Sequence, residues 1–491
     1  MKLNEAIEKE MSWGSTENGC DTLVTTGSSL MDLFARGGSM RGAEPVEQKI
    51  LFSSAYRENA DFATKLLFYI RDIRGGYGER DTFRNMLREL ANINVESVEK
   101  NLWAILEYGY AKDLYCLIGT PAEDAMWKFM KEQFELDLEN CEAEKGISLL
   151  AKWIATPTSS SVKTKELGKL TAKKLGYNFK TMKEYKAKLI KLRKYLDLPE
   201  AKVCSGRFAE IEYSKCSSRF LLKYRGVISK KDKDRWQAFN TAVSNGEATI
   251  NTETLNPCDI IYEIEKNKYS PDLETMWNNL KDVCDANVLV MADSSGSMTS
   301  GAGSIPPLVV AASLAMYFAQ RNKGSLKDFF MTFSYKPEFV KLTASTLDKN
   351  YDIVYGAAWK MNTDLAAAFE LLLNTAKLNN VPKEEMPDAL LIVSDMQIDC
   401  VNGVSKSGEV TFFDLMNKRY EEAGYKLPHV VFWNVNAAKP TFLARRSDKG
   451  VSLVSGYSVN VFKQVMECFN TTPYELMLNI LNSDRYAKIV A

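Results

Sequence analysis

Apolar positions in the first half of the chain recur at spacings of three and four, which places them on one face of a helix. Phe62, Leu66, Leu67, Ile70 and Ile73 form one such stripe, and Phe83, Met86, Leu87 and Leu90 form a second. Further helices are predicted at 102–106, 126–138, 149–154 and 185–196. Residues 1–60 are mixed in patterning, and from Asp61 helix follows helix with no credible strand, so this half is predicted to be an antiparallel helical array. No strict repeat period runs through it. Between the first two stripes lies Gly75-Gly76-Tyr77-Gly78. With no preceding strand and no Gly-Lys-Ser/Thr it is not a phosphate loop, and a glycine-capped helix–turn–helix connection is the better account. A loop is predicted at 35–42.

After residue 284 the pattern changes. Strand-length apolar runs at 287–292, 329–333, 339–342, 389–393, 430–435 and 451–454 alternate with helical stripes at 307–320, 365–378, 412–423, 459–469 and 474–481. Such alternation builds a doubly wound, mostly parallel sheet covered by helices on both faces. The predicted organisation is an all-α helical-repeat domain over 1–255, linking helices over 256–283, and an α/β domain over 284–491.

Composition narrows the class. A chain of 491 residues is too long for one ordinary core. Its hydrophobic fraction of 45% suits a folded soluble protein, and no run approaches the ~20 apolar residues of a membrane span. Charges at Lys2, Glu5, Glu8, Lys9 and Glu10 fall where a signal peptide would be apolar, so a cytoplasmic protein is expected. Nine cysteines without Cys-x-x-Cys read as reduced, mostly buried thiols. The single histidine, His429, precedes Val430-Val431-Phe432 and reads as a strand-start residue, which leaves no histidine dyad or His-rich metal site.

Formal net charge is zero, yet residues 161–240 hold 22 Lys/Arg against 8 Asp/Glu, a local +14 balanced by −14 elsewhere. Tyr185, Tyr195, Phe208, Tyr213, Phe220 and Tyr224 interleave with these cations. Cations neutralise phosphates and aromatic rings stack on bases, the combination that single-stranded RNA requires. Solvated lysine-rich helices with aromatics in their core are the plainer reading of the same pattern. The RNA-binding candidates are Lys152, Lys163, Lys165, Lys173, Lys174, Arg193, Arg219 and Lys223.

The run 287–292 ends in Asp293-Ser294-Ser295-Gly296-Ser297. Asp293, Ser295 and Ser297 bring oxygens at i, i+2 and i+4 to a loop leaving the carboxyl end of a strand. One carboxylate and two hydroxyls form an incomplete shell for a small hard cation, Mg²⁺ or another divalent ion such as Mn²⁺. The alternative is a Ser-rich turn that caps the following helix.

Asp-x-Ser-x-Ser after an apolar strand resembles the metal-ion-dependent adhesion site of von Willebrand factor A domains. That family completes the shell from two later loops, which the resemblance matches to Thr363 in Met361-Asn362-Thr363-Asp364 and Asp395 in Val393-Ser394-Asp395-Met396. It implies direct ligation by Ser295 and Ser297, and ligation by Thr363 directly or through water. Asp293 and Asp395 would orient coordinated waters or bind the ion, and an open sixth position would take a carboxylate from a partner protein.

A helical domain followed by such a site resembles the Ro autoantigen architecture, TROVE plus von Willebrand A. The chain resembles more closely an uncharacterised Ro-like family of phages, bacteria, fungi and plants. The motifs that carry the likeness are Phe68-Tyr69-Ile70-Arg71-Asp72-Ile73-Arg74-Gly75-Gly76-Tyr77-Gly78-Glu79-Arg80, Tyr108-Gly109-Tyr110-Ala111-Lys112-Asp113-Leu114, Ser148-Leu149-Leu150-Ala151-Lys152-Trp153-Ile154-Ala155-Thr156-Pro157 and Tyr213-Ser214-Lys215-Cys216-Ser217-Ser218-Arg219. The resemblance implies a TROVE-like domain that binds small structured RNAs on its outer face and single-stranded ends in a central hole. The function expected is a Ro-like RNA-binding ribonucleoprotein component, not an enzyme, whose α/β domain binds a cation and recruits a partner. A metal-dependent protein-interaction or assembly factor without RNA is the alternative. A metal-dependent hydrolase is disfavoured, because no general base is evident and Asp364 and Asp399 lie near the site only in sequence.

Overall fold

The two apolar stripes nearest the N-terminus form helices Ala60–Arg71 and Asp81–Ile93. They bury Leu66, Leu67 and Ile70 from the first and Phe83, Met86, Leu87 and Leu90 from the second. The computed structural model describes residues 11–491 apart from 268, 300, 302, 334–335, 358–363, 400, 407, 437–438, 468 and 470. Asn59 caps the first helix, its side chain accepting from the Phe62 N–H at 3.0 Å. The glycine-rich connection then folds back on that helix: Tyr77 N–H donates to Tyr69 O at 3.2 Å and Glu79 N–H to Ile70 O at 2.8 Å. A Cβ on residue 76 would lie 2.0 Å from Tyr69 O, so only glycine fits there. The motif serves backbone packing.

The array continues through Glu123–Glu142, Val162–Lys174, Met182–Tyr195, Ser218–Lys231 and Lys233–Ser244. The linking region forms Pro257–Asn267 and Pro271–Asn278.

Strands in the second half are β3 (Val288–Asp293), β4 (Phe329–Phe333), β5 (Glu338–Lys341), β6 (Ala389–Ser394), β7 (His429–Asn434) and β8 (Val451–Ser455). Their order is β5-β4-β3-β6-β7-β8, parallel except for β5 at one edge. From β3 the chain winds outward one way, and from β6 the other. Their adjacency makes a topological switch point, where loops at the strand ends diverge and leave a crevice. Helix Pro307–Arg321 is buried continuously from Val309 to Ala319. It lies between the sheet and helix Pro257–Asn267, which explains its nearly uniform apolar sequence.

The expectation of an all-α domain over 1–255 is corrected at its start, where the patterning is mixed. Before the array, β1 (Trp13–Ser15) and β2 (Asp21–Leu23) form an antiparallel hairpin. Strands of three residues are too short for a two-residue period to show. The hairpin belongs with the sheet domain: Phe442 N–H donates to Leu23 O at 2.9 Å and Thr22 Oγ1 to Phe442 O at 3.2 Å. Helix Ser29–Gly37 follows and packs on β8, so the predicted 35–42 loop begins only at Gly38. Residues 485–491 cross the other way. Asp72, buried in the array, accepts from Arg485 Nη2 at 2.7 Å and Tyr486 Oη at 2.8 Å. Asn101 Nδ2 donates to Val490 O at 2.6 Å.

Candidate functional site

The switch point is where Asp293, Ser295, Ser297 and Asp395, four of the five expected cation ligands, are found. Register pairs Ala292 with Val393, which sets Asp293 beside Ser394 at the ends of β3 and β6. Asp293 is fully buried; its Oδ1 accepts from Ser295 N–H at 2.8 Å and its Oδ2 from Ser394 Oγ. Ser295 Oγ and Ser297 Oγ lie 2.9 Å apart. Asp395, 1% exposed, accepts from Gln397 N–H at 3.1 Å through Oδ1, while its Oδ2 is buried with no hydrogen-bond partner. Neither carboxylate forms an ion pair with a described residue. Thr363 lies outside the described residues.

Electrostatics follow from that geometry. Burial, then the charge of Asp395, hold the Asp293 carboxyl well above the usual carboxylate range, against the lowering effect of the Ser394 and Ser295 hydrogen bonds. Burial raises Asp395 too, opposed by the Ser297 hydroxyl and the Gln397 N–H and reinforced by Glu17. Two desolvated carboxylates with converging hydroxyls and one orphaned oxygen have no ion-pair partner among the described residues. The donor set fits a small hard cation that would balance their charge.

Two residues of this site escaped the sequence reading. Ser394 stood in the motif quoted for Asp395 and is recognisable only through strand register. Gln397 is buried, with Nε2 donating to Thr441 Oγ1 at 2.8 Å and Oε1 accepting the Glu17 N–H at 2.9 Å. Asp364 caps helix Leu365–Leu378 by accepting from Ala367 N–H at 2.9 Å, and Asp399 accepts from Asn18 Nδ2 at 2.9 Å. Among the described residues no group of three or more His, Cys, Asp and Glu side chains is arranged to hold a metal.

The basic candidates do not form one surface. Lys163, Lys165 and Lys173 stand exposed on Val162–Lys174 and form no ion pair with a described residue. At about 100° per residue, Lys163 and Lys174 share a face while Lys165 points the other way. Lys174 approaches Glu123 and Asp124 at 3.5 and 3.6 Å. Arg193 donates to Ala151 O at 2.8 Å and Ile154 O at 3.1 Å, and burial holds its pKa below the usual range. Arg219 is tied to Thr254 O at 2.7 Å and to Asp259 at 3.1 Å. Lys223 lies over its neighbour Tyr224. Of the aromatics read as stacking faces, Tyr185, Tyr213 and Phe220 are buried in the core.

A tighter constellation forms where the sequence motifs meet. Tyr110 and Trp153, both half-buried, contact edge to face with centroids 4.9 Å apart. The Arg71 and Arg84 guanidinium carbons lie 5.2 and 5.6 Å from the Tyr110 centroid, and the Lys112 and Lys152 ammonium groups lie 5.4 and 5.2 Å from that of Trp153. Buried Asp113 holds Arg71 at 2.7 Å and Arg84 at 2.8 Å, and Arg84 Nη2 donates to Tyr110 Oη at 3.0 Å. Lys152 also pairs with Glu200 at 2.7 Å. Only Lys152 of this group was predicted. The signal was in the motifs, but they are far apart in sequence and only the fold brings them together.

The family described as "Domain of unknown function (DUF2828)" matches residues 16–146 and 126–290, and "Domain of unknown function (DUF7788)" matches 287–482. Among curated proteins, the chain is 26% identical over 510 residues to uncharacterized protein L728 of Acanthamoeba polyphaga mimivirus, across 95% of this chain and 86% of that one. Among solved structures it is similar to the crystal structure of the Deinococcus radiodurans RO (RSR) protein. That likeness has a TM-score of 0.48 and 13% identity, over 93% of this chain and 99% of the other.

Proposed function

We propose that this chain, which belongs to the DUF2828 family, is an RNA-binding protein whose helical array holds RNA and whose sheet domain holds a divalent cation. The observation that carries the RNA reading is the Tyr110–Trp153 pair ringed by Arg71, Arg84, Lys112 and Lys152. Unpaired bases stack on the rings whatever their sequence; exposed Lys112, with partly exposed Arg84 and Lys152, neutralises the adjoining phosphates, while buried Arg71 positions Tyr110 from behind. Asp113 fixes both arginines in place, giving up some positive charge for preorganisation. The exposed lysines of 161–240 add attraction that depends on salt.

The test is the affinity for a mixed single-stranded RNA across a salt series. Each phosphate engaged contributes a slope of about 0.7. Trp153→Ala should weaken binding by about 1–3 kcal/mol and leave the slope unchanged, while Lys112→Ala should lower the slope. Absence of binding at low salt overturns the reading and favours the assembly factor that works without RNA.

In the sheet domain Asp293, Ser295, Ser297 and Asp395 would hold Mg²⁺ or Mn²⁺, with Thr363 as the further ligand. The bound cation would supply an electrophilic centre able to accept a carboxylate, and a protein partner with an exposed acidic side chain fits that chemistry. Asp364 and Asp399 are engaged elsewhere, so the site is read as a binding site and not as a hydrolase. EDTA-sensitive capture of such a partner, lost in Asp293→Ala, tests this half.

A further inference from the structure

The turn of the N-terminal hairpin is fastened to the loop that carries Asp395. Thr16 Oγ1 donates to Ile398 O at 3.0 Å, and Glu17 N–H donates to Gln397 Oε1 at 2.9 Å. Asn18 Nδ2 reaches Gln397 O at 3.2 Å and Asp399 Oδ1 at 2.9 Å. The turn is also closed on itself, with Thr16 N–H donating to Cys20 O at 2.8 Å, Gly19 N–H to Thr16 O at 3.0 Å, and Gly19 at φ +81°. Its backbone therefore has little freedom, and the Glu17 carboxylate stands near enough to Asp395 for its charge to help hold that carboxyl up. Half-exposed, the Glu17 carboxylate meets Lys439 Nζ at 3.5 Å, a residue of the loop that follows β7.

We propose that Glu17 supplies, from the same chain, the carboxylate that fills the open position of the strand-end cation, so that the hairpin closes the site to outside acidic ligands until it is displaced. The inference rests on the cation reading above. A hard divalent ion prefers carboxylate oxygen, and the four switch-point side chains leave its shell incomplete. A doubly charged ion attracts the Glu17 carboxylate more strongly than a single exposed ammonium does, so the Lys439 pair marks a resting position. Tethering by the turn also gives this carboxylate a high effective concentration that an outside ligand must overcome.

The experiment uses the full chain and Mn²⁺ as probe, reading affinity by electron paramagnetic resonance and the number of exchangeable Mn²⁺-bound waters by proton relaxation. Glu17→Gln keeps the shape and removes the charge. It is expected to weaken Mn²⁺ binding about tenfold and to add one exchangeable water, whereas a merely structural role would leave the water count unchanged. Equal affinity and equal water count in wild type and Glu17→Gln overturn the role of Glu17 alone. Failure of the wild type to bind Mn²⁺ overturns the cation reading itself.

Discussion

Asp395 is a residue whose burial works against the fold. Its carboxylate is buried beside Asp293 with one oxygen unsatisfied, an arrangement that weakens folding whenever no cation balances the charge. Asp395→Asn should therefore stabilise the protein in EDTA, by on the order of 1 kcal/mol; on the cation reading proposed above, Mg²⁺ should stabilise the wild type and not the variant. Thermal unfolding with and without the ion reads both effects. His429 makes the stability of the fold depend on pH. Its ring stacks on Phe469 with centroids 4.6 Å apart, and Nε2 lies 2.8 Å from Ser452 Oγ. Burial, then Lys426, lower its pKa to about 4 from 6.5. The neutral ring is favoured in the fold, so its stability is fully present above pH 6.5 and is lost as pH falls through 4. Relative to His429→Gln, the wild type should lose on the order of 3 kcal/mol across that window in urea titrations.

At the scale of elements, two glycines in helical surroundings should respond in opposite directions. Gly76→Ala forces a methyl group against Tyr69 O and should cost on the order of 3 kcal/mol in chemical denaturation. Gly226, inside Ser218–Lys231 with open space around it, should gain about 1 kcal/mol on conversion to Ala. Long amphipathic elements were legible because their period repeats over several turns, as with Phe83 to Leu90, and the buried strands because they are unbroken apolar runs. The strand-end loop that gathers Asp293, Ser295 and Ser297 was legible because the three lie within five residues of each other. What stayed hidden depends on contacts between distant segments. The hairpin at Trp13–Leu23 is too short to show a period, Ser394 joins Asp293 only through strand register, and Tyr110 meets Trp153 only through helix packing. Charge counts likewise do not reveal that Arg193 and Arg219 are engaged with backbone carbonyls.

At the scale of the whole molecule, the two halves are interlaced. The hairpin and helix Ser29–Gly37 pack on the sheet domain, while residues 485–491 return to the helical array. Breaking one of these ties should uncouple the halves. Asp72→Ala leaves Arg485 and Tyr486 without their shared acceptor and should cost about 2–3 kcal/mol, less than for a fully buried pair because Arg485 is one-third exposed. Calorimetry is expected to show one transition for the wild type and two for the variant.

The tie between Asp72 and Arg485 also bears on how the protein is made. Its partners are 413 residues apart, and translation proceeds at roughly 5–20 residues per second. Roughly 20 to 80 s pass between synthesis of Asp72 and arrival of the arginine that satisfies it. Throughout that interval the nascent helical array carries an open apolar seam where Tyr486 and Ile489 will later be buried. Chaperone occupancy of the newly made chain should persist until residue 489 has left the ribosome and then fall.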